Sequence, residues 1–227
     1  LTDIETGEIK KVHIFATTLG VSSLIYAEAF PNEKLPCFIE GCSHAVSSYG
    51  AVAKYFVPDN LKTAVTKHTK DELILQSTFS DLEDFYDTIV LPPPARKPKG
   101  KSTVENHVKF LETHLVEKLK ENIYTSFEDL NAGIKKIVAA LNSRKFQNKS
   151  FSRKDAFEKY DKPCMKPLPG GSYMICDYKA VLKVPNNYHI EYDGHYYSVL
   201  YSYCGKPAIL KATPSEIRIC DQYNRLI

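Results

Sequence analysis

Ala51-Val52-Ala53-Lys54-Tyr55-Phe56-Val57-Pro58-Asp59-Asn60 reads as a short buried strand that stops at a turn. β-Branched and aromatic side chains suit a strand, and Pro, Asp and Asn end it with three turn-forming residues. An acid just past the C-terminal end of such a strand stands where open α/β sheets bind ligands. Taken alone, a turn accounts for Asp59 without any function. Its neighbours along the chain decide the reading.

Upstream, Ile9 to Thr17 and Ser23 to Phe30 form two β runs about a turn at Leu19-Gly20, an antiparallel hairpin. Asn32 then caps a helix that runs to Tyr49 and stops at Gly50. Downstream, residues 72–87 read as a helix with Leu73, Leu75, Phe79, Leu82, Phe85 and Tyr86 inward. Thr88 to Leu91 is a short strand closed by Pro92, Pro93 and Pro94. A long helix follows from about Ser102 to Glu121. Val104, Val108, Leu111, Leu115 and Leu119 place one buried stripe along it. Ser126 caps another helix through about Asn142. Strand pair, helix, strand, helix, strand and two helices make an α/β layer with a mixed sheet.

The character then changes. Residues 144–171 form a basic, proline-containing linker with a short helix from Arg153 to Tyr160. Residues 178–227 are rich in Tyr, Val and Ile, with turn signals at Pro185-Asn186-Asn187, Asp193-Gly194, Cys204-Gly205 and Pro214. About five short strands at that spacing predict a small β-barrel. The expected division is therefore a catalytic core over 1–143, a linker over 144–172 and a barrel over 173–227.

Composition excludes several classes. The chain has 227 residues, 43% hydrophobic and 25% charged, ordinary for a globular protein with a substantial core. Its six cysteines form no CxxC pair, so reduced thiols in the cytoplasm are expected. No apolar run reaches membrane-spanning length. No phosphate-cradling glycine loop is present, which argues against NTP binding. His13, His44, His107 and His114 show no ligand spacing with Cys.

A net charge of +3 does not mark a nucleic-acid binder, but local charge does. Residues 144–166 hold eight cations against three acids. Arg96-Lys97-Pro98-Lys99-Gly100-Lys101-Ser102-Thr103-Val104-Glu105 runs four cations into a helix start whose first carboxylate is Glu105. Ser102 to Glu105 also fits a capping box. Paired with Asp59, however, Glu105 suggests a second hard oxygen ligand set among cations. That combination suits a polyanionic substrate and Mg²⁺ or Mn²⁺. Two such ions about 4 Å apart serve in-line phosphodiester displacement, and a third carboxylate is then expected. Lys109, one turn after Glu105, reads equally as a helix ion pair or a phosphate contact. Lys62 and Lys67 read as a solvated loop or one facing DNA.

Val57 to Lys67 and Arg96 to Glu105 together resemble the IstA-type insertion-sequence transposases. Gly7 to Ala16, Tyr188-His189-Ile190 and Tyr196 to Val199 are also similar to that family. It belongs to the retroviral-integrase superfamily, with an RNase H-like core and a D,D,E metal triad. The resemblance implies that Asp59 is the second triad member and Glu105 the third. It implies two Mg²⁺ or Mn²⁺ ions, DNA 3′-end cleavage and strand transfer, multimers on transposon ends, and an AAA+ ATPase helper. Lys62, Lys67, Arg96, Lys97, Lys99, Lys101 and Lys109 would contact DNA. The family carries the first aspartate on the first strand, usually before Trp, and this sequence has no Trp. Asp3 precedes the Glu5-Thr6-Gly7 turn and looks like hairpin sequence. The first aspartate and its strand are therefore expected upstream of Leu1, and this piece alone is expected to be inactive. The alternative readings are a DNA- or partner-binding integrase-like module without catalysis, or a nuclease that cuts without joining.

Overall fold

Strands β1 (His13–Thr18) and β2 (Ile25–Phe30) pair antiparallel, His13 opposite Phe30 and Thr18 opposite Ile25. The computed structural model describes residues 1–2, 6–58, 70–91, 110–147, 149–171 and 173–227. The turn between the strands is closed by the Leu19 N–H donating to the Leu24 carbonyl at 3.0 Å, with Ser23 at a positive φ of 54°. The expected hairpin is present, though its first strand begins at His13 rather than Ile9.

One face of β2 buries Ile25, Ala27 and Ala29. Against it packs α3 (Phe127–Ser143) through Leu130, Ile134, Val138 and Leu141, one stripe at helical spacing. Ser126 caps α3 as expected, its hydroxyl accepting from the Asp129 N–H at 3.1 Å. Ile134 is fully buried, worth about 1.5–3 kcal/mol of transfer free energy. Two amides on α3 serve the backbone of β2. Asn142 accepts from the Ile25 N–H at 3.0 Å and donates to its carbonyl at 2.8 Å. Asn131 does the same for Ala29, at 2.7 and 3.2 Å. The side of β2 away from β1 thus finds its hydrogen bonds in side chains.

Helix α1 (Leu35–Tyr49) covers the other side of the hairpin. The Phe15 ring meets Tyr26, Phe30 and Phe38 edge-on at 5.7–6.5 Å and lies over Gly41. Gly50, in the left-handed conformation at φ 68°, ends the helix as the sequence predicts. Its start differs. Asn32 accepts from the Lys34 N–H at 2.9 Å in a turn, and the helix opens at Leu35. Pro36 decides this, because a residue without an N–H belongs in the first turn.

The predicted strand 51–57 is divided. Val52 pairs with Lys166, by hydrogen bonds of 2.8 and 2.9 Å. Only Tyr55–Phe56 forms a ladder strand, β3, and Tyr55 and Val57 are about half exposed rather than buried. In the helical segment 110–119, Glu112–Val116 is a π turn and Glu117–Leu119 is α. Leu115 and Leu119 are buried as the stripe predicts. Residues 144–168 fold back rather than trail. Lys145 bridges Ser152, which caps α4 (Arg153–Ala156) in a reciprocal box with Asp155. A π turn (Phe157–Asp161) and a 3-10 turn (Lys162–Cys164) extend α4, and Asp161 accepts from the Ser22 N–H at 2.9 Å.

By compactness the chain divides into two units, Leu1–Ala53 with Pro94–Leu168, and Lys54–Pro93 with Pro169–Ile227. The second holds β3, α2 (Lys70–Tyr86), β4 (Ile89–Val90) and five C-terminal strands. β5 (Asp177–Val181), β8 (Ala208–Ala212) and β9 (Ile217–Asp221) make an antiparallel sheet with β8 central. β6 (His189–Tyr192) and β7 (His195–Ser198) make a hairpin whose turn, Asp193 at φ 49° and Gly194 at φ 74°, has the left-handed pair a two-residue turn needs. Sheet and hairpin share one core: Val184, Ile190, Val199, Ala208, Leu210, Ala212 and Ile219.

The five predicted strands are present, but among the described residues no barrel closes. One parallel bridge, Val184 to Cys204, and the Val199 N–H donating to the Tyr188 carbonyl stand where ladders would have to run. The chain near both points is taken up by turns, Pro185–Tyr188 and the 3-10 turn Tyr201–Tyr203, which cannot extend a ladder. Among the described residues no helix is long and apolar enough to cross a membrane.

Candidate active site

β3 and β4 are parallel neighbours, Tyr55 opposite Ile89 and Phe56 opposite Val90. The Ile89 N–H donates to the Lys54 carbonyl at 3.1 Å and the Leu91 N–H to the Phe56 carbonyl at 2.8 Å. Parallel pairing means that the chain leaves both strands at the same edge, their carboxyl ends, at Val57-Pro58 and at Leu91. In α/β sheets that edge is where ligands collect.

Helix α2 is tied to this pair at several points. The Val90 N–H donates to Glu83 Oε1 at 2.6 Å and the Thr88 hydroxyl to the Lys54 carbonyl at 3.2 Å. The Tyr86 ring meets Phe56 at 6.4 Å and stacks on Tyr173 at 5.9 Å. Burial, then the Asp81 charge, pushes the Tyr173 hydroxyl above its ordinary range. Of the inward residues expected on α2, Leu82 and Tyr86 are buried, and Leu75, Phe79 and Phe85 are partly so.

The predicted acids and cations fall beyond these strand ends. Asp59, Lys62 and Lys67 follow Pro58; Arg96, Lys97, Lys99, Lys101, Glu105 and Lys109 follow Leu91. All nine lie outside the described residues, as does Asp3. Among the described residues no group of three His, Cys, Asp or Glu side chains is arranged to hold a metal ion. The chemistry of the proposed donors, two hard carboxylates amid cations, fits Mg²⁺ or Mn²⁺.

The second basic run is described and is more structured than charge alone suggests. The Arg153 guanidinium lies over Phe110 at 4.6 Å and Phe146 at 5.0 Å and donates to the Leu141 carbonyl at 3.2 Å. Burial, then neighbouring Arg144, lowers its pKa. Lys162 pairs with Glu158 at 2.7 Å, and Lys149 sits over Phe146 and Phe151. Arg144, Lys145, Lys154 and Lys159 are exposed.

Sequence reasoning missed a polar cluster on α2. Lys211, on the central strand β8, is only 5% exposed, and its ammonium reaches Asp81 Oδ1 at 2.5 Å. The Tyr178 hydroxyl donates to Asp81 Oδ2 at 2.7 Å. Burial, then that bond, pushes the Tyr178 hydroxyl far above its ordinary range. The signal was the lone cation inside the apolar run Ala208-Ile209-Leu210-Lys211-Ala212.

Residues 168–227 match the family model described as Mu transposase, C-terminal domain. Over 224 residues the chain is 34% identical to a candidate transposase of Sinorhizobium fredii, covering 99% of this chain and 43% of that protein. It is 34% identical over 197 residues to a candidate transposase for insertion sequence IS1162 of Pseudomonas fluorescens, covering 87% of this chain and 35% of the relative. To the transposase for insertion sequence element IS21 of Pseudomonas aeruginosa it is 24% identical over 214 residues, 94% of this chain and 54% of the relative. The chain thus spans about half the length of these relatives or less. The crystal structure of the catalytic core domain of BIV integrase superposes with a TM-score of 0.51 at 14% identity, over 68% of this chain and 90% of that one. This likeness shows a mixed α/β fold of the integrase-core kind.

Proposed function

We propose, from the premise that this chain belongs to the IstA-type family of insertion-sequence transposases, that the whole protein is a D,D,E polynucleotidyl transferase. It cleaves DNA 3′ ends and joins them to target DNA. The observation that carries the reading is the parallel pair β3–β4, which releases the chain at one edge directly before the two segments bearing Asp59 and Glu105. Asp59 and Glu105 would hold divalent cations, with a further aspartate completing the set. Such ions, when bound, polarise the phosphoryl oxygen and stabilise attacking and leaving oxygens. Lys62, Lys67, Arg96, Lys97, Lys99, Lys101 and Lys109 would neutralise DNA phosphates around those acids. DNA bases would find stacking partners in Tyr196 and Tyr201 of the C-terminal module, 70% and 81% exposed. The working division is a catalytic core over 1–143, a basic connector over 144–172 and a β module over 173–227. The assembled form is a homo-oligomer on transposon ends, with an AAA+ ATPase as helper.

The test is end joining by full-length protein with transposon-end DNA and Mg²⁺. Asp59→Asn and Glu105→Gln should each lower joining by about 10³-fold or more, the scale of losing one member of a catalytic set. End binding should persist. Joining at the parental rate by either variant overturns the assignment. Binding without cutting by the parent would favour the non-catalytic module, and cut but unjoined ends a nuclease.

A further inference from the structure

We infer that Lys211 is a positioning residue: with Asp81, Tyr178 and Asn224 it fixes the register of α2 on the C-terminal sheet, and so orients the excursion β3–α2–β4 that carries Asp59. This rests on the proposed role of Asp59. Three groups from three places converge on one face of α2. Lys211 from β8 reaches Asp81 and also Asn224 Oδ1. Tyr178 from β5 takes the other Asp81 oxygen. Asn224 donates to Ser80 Oγ at 3.1 Å, Asp81 Oδ1 at 3.3 Å and Asp84 Oδ2 at 3.4 Å. Asn224 is itself held at φ 64° in a turn where Asp221 Oδ1 accepts from the N–H groups of Tyr223 and Arg225.

An apolar contact would dock this helix at less cost. A buried ion pair loses hydration that its attraction only partly returns, and its best-attested benefit is a fixed register. Each Asp81 oxygen here has a different donor, and Asn224 reads residues 80, 81 and 84, which share a helix face. Sliding α2 by one residue would break every one of these bonds, whereas a greasy contact would re-form. α2 is tied to β4 through Glu83 and to β3 through the Tyr86 ring on Phe56, so its register bears on the strand pair from which the chain leaves toward Asp59.

The experiment separates register from stability. In the full-length protein, Lys211→Met leaves the part-buried Asp81 carboxylate without its cation, and should unfold at lower temperature. Lys211→Met/Asp81→Leu removes both charges, and should recover the parental unfolding midpoint. Positioning requires that this double variant still join ends at least about tenfold more slowly, since small misplacements cost that much, while binding end DNA normally. It also requires faster amide hydrogen exchange in Ile74 to Tyr86, with α3 unchanged. Tyr178→Phe, which keeps the ion pair, should give a smaller loss of joining with no loss of midpoint, and serves if the double variant does not fold. Parental joining with parental exchange, in whichever variant folds, overturns the inference. Faster exchange in the variants, with a parent that never joins DNA, would instead overturn the proposed function and leave the register lock standing.

Discussion

Gly41 shows how narrowly one residue can be specified. A Cβ there would stand 2.7 Å from the Phe15 ring, inside any real contact. Helix propensity alone favours alanine by about 1 kcal/mol. The ring is confined by Tyr26, Phe30 and Phe38 and has nowhere to move. Gly41→Ala should therefore destabilise the protein by about 1–3 kcal/mol, the cost of overpacking. Denaturant unfolding measures it, and a gain in stability would show that the α1–hairpin contact is looser than described. Single residues were the scale at which the sequence was easiest to read. Ser126 and Gly50 announce their helix ends because capping and left-handed backbone are local properties. Lys211 was passed over because its meaning lies in Asp81, Tyr178 and Asn224, distant in sequence. Asp59 and Glu105, which lie outside the described residues, read as a pair only through chemistry and family likeness, since each alone has a turn or a cap to explain it.

At the scale of elements, sequence pattern located most helices and strands but misjudged how they continue. α3 matched within a residue because Leu130, Ile134, Val138 and Leu141 give a clean period. The strand over 51–57 failed because Val52 takes Lys166 as partner, a pairing that hydropathy does not encode. The π turns at Glu112–Val116 and Phe157–Asp161 were equally invisible, since one surplus residue leaves an apolar stripe intact. The start of α4 is more readable and gives a sharp prediction. The N–H and then the hydroxyl of Ser152 hold the Asp155 carboxyl below its ordinary pKa. A depressed carboxyl contributes stability above its unfolded value, about 4, and loses it as pH falls through the folded value. Asp155→Asn should lower the thermal midpoint at neutral pH, and the two proteins should converge well below pH 4. A constant difference at every pH would place the effect elsewhere than the charge.

For the whole molecule, four buried or half-buried tyrosines set an alkaline limit. Burial is the first cause in each of Tyr26, Tyr49, Tyr173 and Tyr178, and carboxylates add to it: Glu28 at Tyr26, Asp161 at Tyr49, and Asp81 at the other two. All four hydroxyls are pushed above the ordinary value of about 10. Unfolded, they ionise near that value, so the folded state binds more protons above it and loses stability as pH rises further. The unfolding midpoint should fall steadily from about pH 10 upward, and tyrosinate absorbance from these four should grow only as the protein unfolds. Full ionisation in a still-folded protein would contradict their burial. Both units are also assembled from separated stretches of chain. Asp81 and Lys211 are 130 residues apart in sequence. A ribosome adding about 5–20 residues per second therefore delivers the lysine on the order of ten seconds after the aspartate. Through that interval α2 has left the ribosome with its acid unmatched and no C-terminal sheet to lie on, so the segment is one a chaperone would have reason to hold.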